Sequence, residues 1–137
     1  MNVREVMTSD VVIASPDDTL QRAAEMMIDI DAGVLPVGEN DRLVGILTDR
    51  DITVRAVALG KLPSECKVRD VMSHDVKYIY DDDSTEDAAK NMAELQMRRL
   101  PVLNREKRLV GILSLGDLAL KKKSSAADAL KGVSRHT

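Results

Sequence analysis

Two short stretches of the chain, GILTDRD and GILSLGD, each place a hydroxyl side chain three residues before an aspartate. The pairs are Thr48 with Asp51 and Ser114 with Asp117. A hydroxyl residue followed by an acid at this spacing approximates a capping box, in which each side chain bonds the other residue's backbone at a helix N-terminus. Helix capping therefore explains one copy of the pattern, and a duplicated gene would carry the second.

The same arrangement also suits a sugar–phosphate group. The N-terminus of a helix presents unpaired N–H groups, and the helix dipole favours an anion there. The hydroxyl of Thr48 or Ser114 would add a hydrogen bond, while the carboxylate of Asp51 or Asp117 could accept from two vicinal ribose hydroxyls. The glycine that opens each stretch would leave room for close approach of the backbone. Both interpretations stay open on these residues alone.

The chain consists of two similar halves. VREVMTSDV matches VRDVMSHDV and LPV matches a second LPV, each 65 residues later, whereas LVGIL recurs 66 residues later. We assign the first repeat to residues 1–61, the second to residues 62–123 and a polar tail to residues 124–137. Because about 60 residues is near the lower limit for a self-sufficient core, we expect the two halves to bury their apolar faces against each other as a pseudo-twofold pair with paired clefts.

Both halves show the same order of predicted elements: strand, helix, strand, strand, helix. Short extended runs, VVIA and VKYIY, precede helices in which apolar or small residues recur at i, i+3, i+4 and i+7. Asp18 and Ser84 are the candidate N-caps of these helices. Two apolar strands and a polar turn follow in each half. This order predicts a mixed fold of the α+β type, built from two β-α-β-β-α repeats packed through their sheets.

Composition excludes several classes of protein. Only 1% of the residues are aromatic and the net charge is −3, so neither base stacking nor a basic footprint for nucleic acid is expected. Cys66 is the single cysteine, which fits a reducing compartment. No signal peptide or membrane span is visible, and we expect a soluble cytoplasmic protein without a membrane partner.

The residues that could form a catalytic or metal site lack the necessary partners. Asp81–Asp83 form an acidic turn before a predicted helix, where acids complement the dipole. His74 and His136 have no ligand cluster around them, and Cys66 has no accompanying base. We therefore expect no metal and no enzymatic activity.

The paired LPV…LVGIL-[TS]-x-x-D blocks, from about Val3 to Lys121, resemble tandem CBS domains, the two-repeat unit called a Bateman module. The resemblance implies a flat pseudo-symmetric disc whose two clefts bind adenosine compounds such as AMP, ADP, ATP, NAD or S-adenosylmethionine. It further implies that the aspartates of the two pairs bind ribose and that the hydroxyl residues contact the ligand.

The resemblance also implies contacts to the adenine and to the phosphates. The candidate adenine-packing side chains are Val12, Ile13, Leu35, Tyr78, Ile79 and Leu100. Candidate phosphate contacts are Arg98 and Arg99, whose places in the first repeat hold Gly33 and Val34, and Arg50, whose place in the second holds Gly116. The two clefts should therefore differ in strength, although the sequence leaves open which of them is the stronger.

These observations predict a stand-alone regulatory protein that binds an adenine nucleotide and signals by a ligand-dependent population shift. The resemblance implies a homodimer, and the output is expected to reach a second copy or an unidentified effector protein. The alternative is a structural or interaction domain with empty clefts, in which the hydroxyl–aspartate pairs serve only as caps. An enzyme acting on nucleotides and a nucleic-acid binder are the less favoured rivals.

Overall fold

The computed structural model describes residues 1–120 of the chain, and its elements follow one order in both repeats. The helices and strands are α1 (Leu20–Ile30), β1 (Val34–Glu39), β2 (Arg42–Thr48), α2 (Asp49–Arg55), β3 (Ile79–Tyr80), α3 (Thr85–Leu95), β4 (Arg99–Leu103) and β5 (Leu109–Ser114). Residues 115–120 are helical and follow β5 as α2 follows β2. The predicted mixed α+β fold is confirmed, whereas the predicted tail, residues 124–137, lies outside the described residues.

The hairpins β1–β2 and β4–β5 have the same register. Val34 pairs with Thr48 in the first hairpin, and Arg99 pairs with Ser114 in the second. The register shifts once in each hairpin: after Val37 in the first, and after the equivalent residue Val102 in the second. The shared register brings the residue before each LPV beside the hydroxyl residue that begins the next helix.

The first strand of each repeat is shorter than the sequence indicates. β3 contains only two residues, which pair in parallel with β4. In the first repeat the corresponding strand is reduced to a single parallel bridge between Ala14 and Val37. The residues that precede these strands cannot extend them, because they connect to segments that pack against the opposite repeat.

The segment that opens each repeat packs against the opposite repeat. Thr8 exchanges two backbone hydrogen bonds with Ile112 of β5, both of 2.9 Å. Ser73 does the same with Ile46 of β2, at 2.8 and 3.0 Å. We call these two stretches, residues 3–8 and 68–73, the crossing segments. They interlock the repeats, since each sheet is completed by residues from the other half.

The glycines of the two GIL stretches make room for the crossing segments. A Cβ atom at Gly45 would lie 2.6 Å from Met72 Sδ, and one at Gly111 would lie 2.5 Å from Met7 Sδ. A side chain at either position would therefore collide with the methionine and with the backbone of the crossing segment. The space that was expected for a ligand is taken by thioether groups.

Each repeat has an aliphatic core that includes side chains from the other repeat. Val68 and Met72 lie in the first core, and Val3 lies in the second. The fully buried side chains also include Leu20, Leu35, Leu47, Met92, Leu100 and Leu113. Since burying one such side chain contributes about 1.5–3 kcal/mol, the exchange of crossing segments stabilises both halves together.

The helix starts agree with the prediction in one repeat and differ in the other. Ser84 caps α3 as predicted, with its hydroxyl accepting the amide three residues on at 3.1 Å. Asp18 is not the cap of α1, because Thr19 fills that position and accepts the corresponding amide at 3.1 Å. The Asp18 carboxylate instead accepts from the amide of Ser15 at 2.9 Å and closes the preceding turn.

Candidate functional site

Both hydroxyl–aspartate pairs form reciprocal capping boxes. Thr48 Oγ1 accepts from the Asp51 amide at 3.0 Å, and Asp51 Oδ2 accepts from the Thr48 amide at 3.0 Å. The corresponding distances for Ser114 and Asp117 are 3.0 and 3.1 Å. The box uses only Oδ2 of each carboxylate. It therefore fixes the direction of the aspartate and leaves Oδ1 outside the capping contact.

A half-open cleft of about 250 Å³ lies between the two repeats beside the second of these pairs. Its volume is close to the lower end of the range of about 300–1,000 Å³ that ligand pockets occupy. Three parts of the chain form it: the end of the first crossing segment, the α1–β1 connection, and the hairpin β4–β5 with the helix that follows. The lining residues are Thr8, Asp10, Val11, Val12, Ile30, Ala32, Val34, Pro36, Arg99, Ile112, Ser114 and Asp117.

The main polar groups of this cleft stand close together on one sheet and one helix start. Arg99 and Ser114 are register partners on β4 and β5, and Asp117 follows one helical turn later. Arg99 is half-buried and forms no ion pair with any residue in the range 1–120. A half-buried cation without a carboxylate partner in that range suits an incoming anion.

The rest of the cleft wall is aliphatic except for Thr8 and Asp10. Val12 and Val34 come from the first repeat, and Ile112 comes from the second. The aliphatic part is completed by Val11, Ile30, Ala32 and Pro36. No aromatic ring is among the lining residues, so a flat ligand would be held by aliphatic groups.

Only one of the six predicted adenine-packing residues lines this cleft, and that residue is Val12. Leu35 is buried in the first core, and Leu100 and Ile79 are buried in the second. Leu35 and Leu100 have cleft-lining neighbours along their strands, whereas Ile79 has none. The structure therefore places Leu35 and Leu100 behind the cleft wall, where they support it.

The other predicted contact residues lie outside this cleft. Ile13 packs over Gly38, with its Cγ2 atom 2.8 Å from the position of a Cβ there. Tyr78 lines a different groove. Arg98 and Arg50 are exposed, and neither is among the lining residues.

The surroundings of the first pair, Thr48 and Asp51, differ from those of the second. The Asp49 carboxylate packs over Gly33, with Oδ2 2.5 Å from the position of a Cβ. Arg55 Nε lies 3.9 Å from Asp51 Oδ1. The first repeat has Gly33, Val34 and Asp49 where the second repeat has Arg98, Arg99 and Leu115. At these places the first repeat therefore has one acid and two neutral residues, and the second has two arginines and a leucine.

The sequence did not indicate most of the cleft wall. Ala32 and Val34 lie just before the first LPV. Thr8 ends the first crossing segment, and Val11 lies three residues after it. They line a cleft whose aspartate belongs to the other repeat. Thr8 and Val11 lie in a repeated stretch, and Ala32 and Val34 precede another, but the exchange of crossing segments decides which aspartate they face.

Among residues 1–120, no group of three or more His, Cys, Asp or Glu side chains is placed to hold a metal ion. Within the same range, every helix is too short or too polar to cross a lipid bilayer. Cys66 is a free, buried thiol.

The sequence matches a known domain family twice. Residues 3–57 and residues 68–123 each fit the family model described as CBS domain. The CBS domain-containing protein YhcV of Bacillus subtilis (strain 168) is 42% identical over 135 residues, which are 97% of this chain and 95% of that protein. Hypoxic response protein 1 of Mycobacterium tuberculosis is 37% identical over 117 residues, covering 85% of this chain and 81% of that protein.

Solved structures share the fold. The crystal structure of Hypoxic Response Protein I with two coordinated zinc ions superimposes with a TM-score of 0.79 at 35% identity, covering 87% of this chain and 97% of that one. The CBS domain pair of protein MJ0100, in complex with 5′-methylthioadenosine and S-adenosyl-L-methionine, gives a TM-score of 0.78, covering 91% of this chain and 98% of that one. At 23% identity, the second likeness concerns the fold alone.

Proposed function

This chain belongs to the CBS domain family, and we propose that it is a regulatory module that binds an adenine nucleotide in the cleft beside Asp117. AMP, ADP, ATP and NAD are the candidate ligands. The observation that carries the proposal is the combination of groups in that cleft: a carboxylate fixed by a capping box, a half-buried arginine, and an aliphatic wall. These groups match the ribose, the phosphate and the adenine of one molecule.

The ribose would be held by Asp117. The capping box fixes this carboxylate through Oδ2, so little conformational entropy remains to be lost when a ligand binds. Two vicinal hydroxyls could then donate to the carboxylate, and hydrogen bonds to a charged group contribute about 1.5–3 kcal/mol each. The Ser114 hydroxyl, at the same helix start, would contact the ligand beside the ribose.

The phosphate would lie against Arg99. Arg99 lines the cleft with Ser114 and Asp117, and a guanidinium matches the geometry of phosphate oxygens. Arg98 is exposed beside it and would act only on a longer phosphate chain. Arg50, on the opposite side of the pseudo-axis, would serve a ligand bound near Asp51.

The adenine would lie between aliphatic side chains, with Val12, Ala32 and Val34 the main candidates. Adenine presents two apolar faces, and branched aliphatic groups can cover them without an aromatic partner. Support comes from the fold, because the MJ0100 CBS domain pair holds adenosine-containing molecules. Hydrophobic contacts of this kind give modest selectivity, so the phosphate contacts would decide between the candidate ligands.

Ligand binding would be coupled to the arrangement of the two repeats. Thr8 and Ile112 bond each other across the repeats, and both line the cleft. A nucleotide would thus touch Val12 and Val34 of one repeat and Asp117 of the other. It would favour the arrangement that it binds more tightly, by as much as its affinity differs between arrangements.

We assign no catalytic role to this module. Its signal would be a change in the surface that it presents to a partner. A cluster of exposed apolar side chains on α2 and the turn after it would mediate a homodimer, or would contact an effector protein in the cytoplasm. These are Val54, Val57, Leu59 and Leu62, exposed by 48, 56, 68 and 58%. Light scattering on the wild type and on Leu59→Glu tests the dimer: the variant should have half the mass, and an unchanged mass would exclude this interface.

The experiment for the proposed function is calorimetric titration with a matched set of ligands. AMP should bind, 2′-deoxyadenosine monophosphate should bind more weakly because it lacks one hydroxyl for Asp117, and adenosine should lose the contact with Arg99. Guanosine monophosphate tests the base wall. ATP and NAD then rank the longer phosphate chains.

The rival proposal, an interaction domain with empty clefts, draws on the capping boxes themselves. They already account for both hydroxyl–aspartate pairs without any ligand. If none of the adenosine compounds gives heat or raises the melting temperature at millimolar concentration, the rival is correct. Binding that responds to the 2′-hydroxyl excludes it.

A further inference from the structure

The only two aromatic side chains of the protein, Tyr78 and Tyr80, lie together on the surface and outside the nucleotide cleft. Their rings meet edge to face, with centroids 5.6 Å apart. The Arg105 guanidinium carbon lies 4.0 Å from the centre of the Tyr80 ring, and Lys107 Nζ lies 5.1 Å from the centre of the Tyr78 ring. The cluster therefore combines flat apolar surface with positive charge.

A groove of about 320 Å³ opens beside Tyr78. It lies where the hairpin β4–β5 of the second repeat meets the start of β2 in the first. Leu43, Val76 and Leu103 form its apolar surface, and Arg42 and Lys107 provide its cations. None of these residues lines the cleft beside Asp117.

The two cations of the groove have no carboxylate partner among residues 1–120. Arg42 Nη1 donates to the backbone carbonyl of Glu106 at 3.1 Å, and Lys107 Nζ donates to the Tyr78 hydroxyl at 2.8 Å. Both acceptors are neutral, so the two positive charges remain uncompensated within that range. An anion in the groove would supply the missing charge.

Two acids near this surface are engaged with other arginines. Asp41 accepts from Arg108 at 3.1 Å, and Asp82 accepts from Arg105 at 2.7 Å. These pairs leave the groove cations free of competition from the two carboxylates. The groove is therefore positive both because it contains two cations and because Asp41 and Asp82 are paired with other arginines.

The Tyr78 hydroxyl is oriented to take part in anion binding. Its oxygen accepts from Lys107, so its own hydrogen is left to donate elsewhere. The hydrogen bond from Lys107, with a second contribution from Tyr80, lowers the pKa of the Tyr78 phenol below its usual value. A more acidic phenol is a stronger donor to an anionic oxygen.

The fold does not require this cluster. At the places of Tyr78 and Lys107, the first repeat has Ile13 and Asp41, and it forms the same hairpin with the same register irregularity. The aromatic and cationic side chains are therefore an addition to the second repeat. Their position does not serve the strand pairing that both repeats share.

We propose that this groove is a second ligand site, which binds a small organic anion with a compact apolar body. The carboxylate or phosphate of the ligand would contact Arg42, Lys107 and the Tyr78 hydroxyl. Its apolar body would lie on the aliphatic surface and against the Tyr78 ring. The site is separate from the nucleotide cleft, and its existence does not depend on the function proposed for that cleft.

Tyrosine ring resonances provide a direct test, because the protein has two tyrosines and no other aromatic residue. Protein labelled with ¹³C in the tyrosine rings is titrated with phenyl phosphate, a dianion with a flat apolar body. We expect a saturable shift of the Tyr78 signal. Inorganic phosphate and benzyl alcohol, which each lack one half of this chemistry, should bind at least 10-fold more weakly.

Three variants locate the site. Lys107→Asn removes the charge and tolerates the left-handed backbone at this position, where φ is 65°; Arg42→Gln keeps a donor for the Glu106 carbonyl. Each should weaken phenyl phosphate by about 10-fold or more, the effect of losing one charge-assisted bond. Lys61→Gln, which removes an exposed cation that does not line the groove, should change affinity by less than 3-fold.

The outcomes separate clearly. The proposal is overturned if the Tyr78 signal does not respond, if inorganic phosphate binds as well as phenyl phosphate, or if Lys107→Asn binds like the wild type. It is also overturned if Asp117→Ala abolishes the response, since the probe would then occupy the nucleotide cleft. An unchanged response in Asp117→Ala supports the groove even where that variant binds no nucleotide.

Discussion

The Asp51 side and the Asp117 side of the molecule share a strand register, a capping box and a glycine covered by methionine, yet their charges differ. On the Asp117 side Arg98 precedes β4 and Arg99 begins it, whereas on the Asp51 side the acid Asp49 packs over a glycine. The backbone repeats what folding requires. We propose that this difference in charge favours phosphate binding in the cleft beside Asp117.

The comparison also separates structural residues from candidate binding residues. Gly45 and Gly111 occur in both repeats because both crossing segments need the space. The capping hydroxyls occur in both because both helices need a start. Arg99 has no counterpart on the other side, since Val34 takes its place. Specific function is therefore best sought where the two repeats differ.

The largest effect is expected from removing one aspartate and comparing it with its counterpart. Asp117→Ala should lose two charge-assisted hydrogen bonds to the ribose, which together correspond to a loss of AMP affinity of about 100-fold or more. Asp51→Ala disrupts an equivalent capping box and should leave the main AMP site within about 3-fold of the wild type. Calorimetry measures both. Equal losses in the two variants would mean that the clefts are equivalent.

The next effect concerns the phosphate. Arg99→Val installs the residue of the first repeat and should reduce AMP affinity by about 10- to 150-fold. Adenosine, which carries no phosphate, should bind the variant as it binds the wild type. Arg98→Val is the matched control, because Arg98 is exposed and does not line the cleft. A loss shared by AMP and adenosine would place Arg99 in a packing role.

A smaller effect is expected from the capping hydroxyls. Thr48→Ala and Ser114→Ala should each lower the free energy of unfolding by about 0.5–2 kcal/mol, the usual cost of losing an N-cap. Chemical denaturation measures this loss. The two variants should differ in ligand binding, because only Ser114 lines the Asp117 cleft. If Thr48→Ala weakens AMP as much as Ser114→Ala does, both clefts bind.

The smallest effect concerns the ion pairs beside the crossing segments. Asp17 of the first repeat pairs with Arg69 of the second, whereas its counterpart Asp82 pairs with Arg105 of its own repeat. The hydrogen bond from Arg69 lowers the pKa of Asp17. The stabilisation is therefore present above the unfolded pKa of about 3.9 and is lost as pH falls through the lower folded value.

Asp17→Asn tests this second contrast by thermal melting between pH 2 and pH 7. The wild type should lose its advantage over the variant as the pH falls below about 4. The difference should be small, because the pair is exposed and screened by solvent. A difference that persists unchanged at pH 2 would assign the effect to packing rather than to charge.

Much of the fold could be predicted from the sequence because the chain contains the same motifs twice. The two apolar strands of each half, the hydroxyl caps at Thr48 and Ser114 and the aromatic-free cores all depend on local spacing. Asp18 was wrongly predicted as a cap, since Thr19 beside it has an equally suitable side chain. Local preference does not decide between two adjacent capping residues.

The cleft was harder to predict, since it is formed by contacts between distant parts of the chain. Leu35 and Ile79 have the apolar character expected of a base wall, but their strands turn them into the cores. Ala32 and Val34 face the aspartate of the other repeat because the crossing segments are exchanged. Spacing along the chain carries no information about that exchange, whereas the positions of the two aspartates follow directly from the repeated motif.

A crystal structure of the protein with AMP tests the central claim most directly. We predict electron density for AMP in the cleft beside Asp117, with both ribose hydroxyls about 2.5–3.0 Å from its carboxylate oxygens and the phosphate against Arg99. AMP bound only on the Asp51 side, or bound beside Asp117 with its ribose turned away from the carboxylate, would contradict the account.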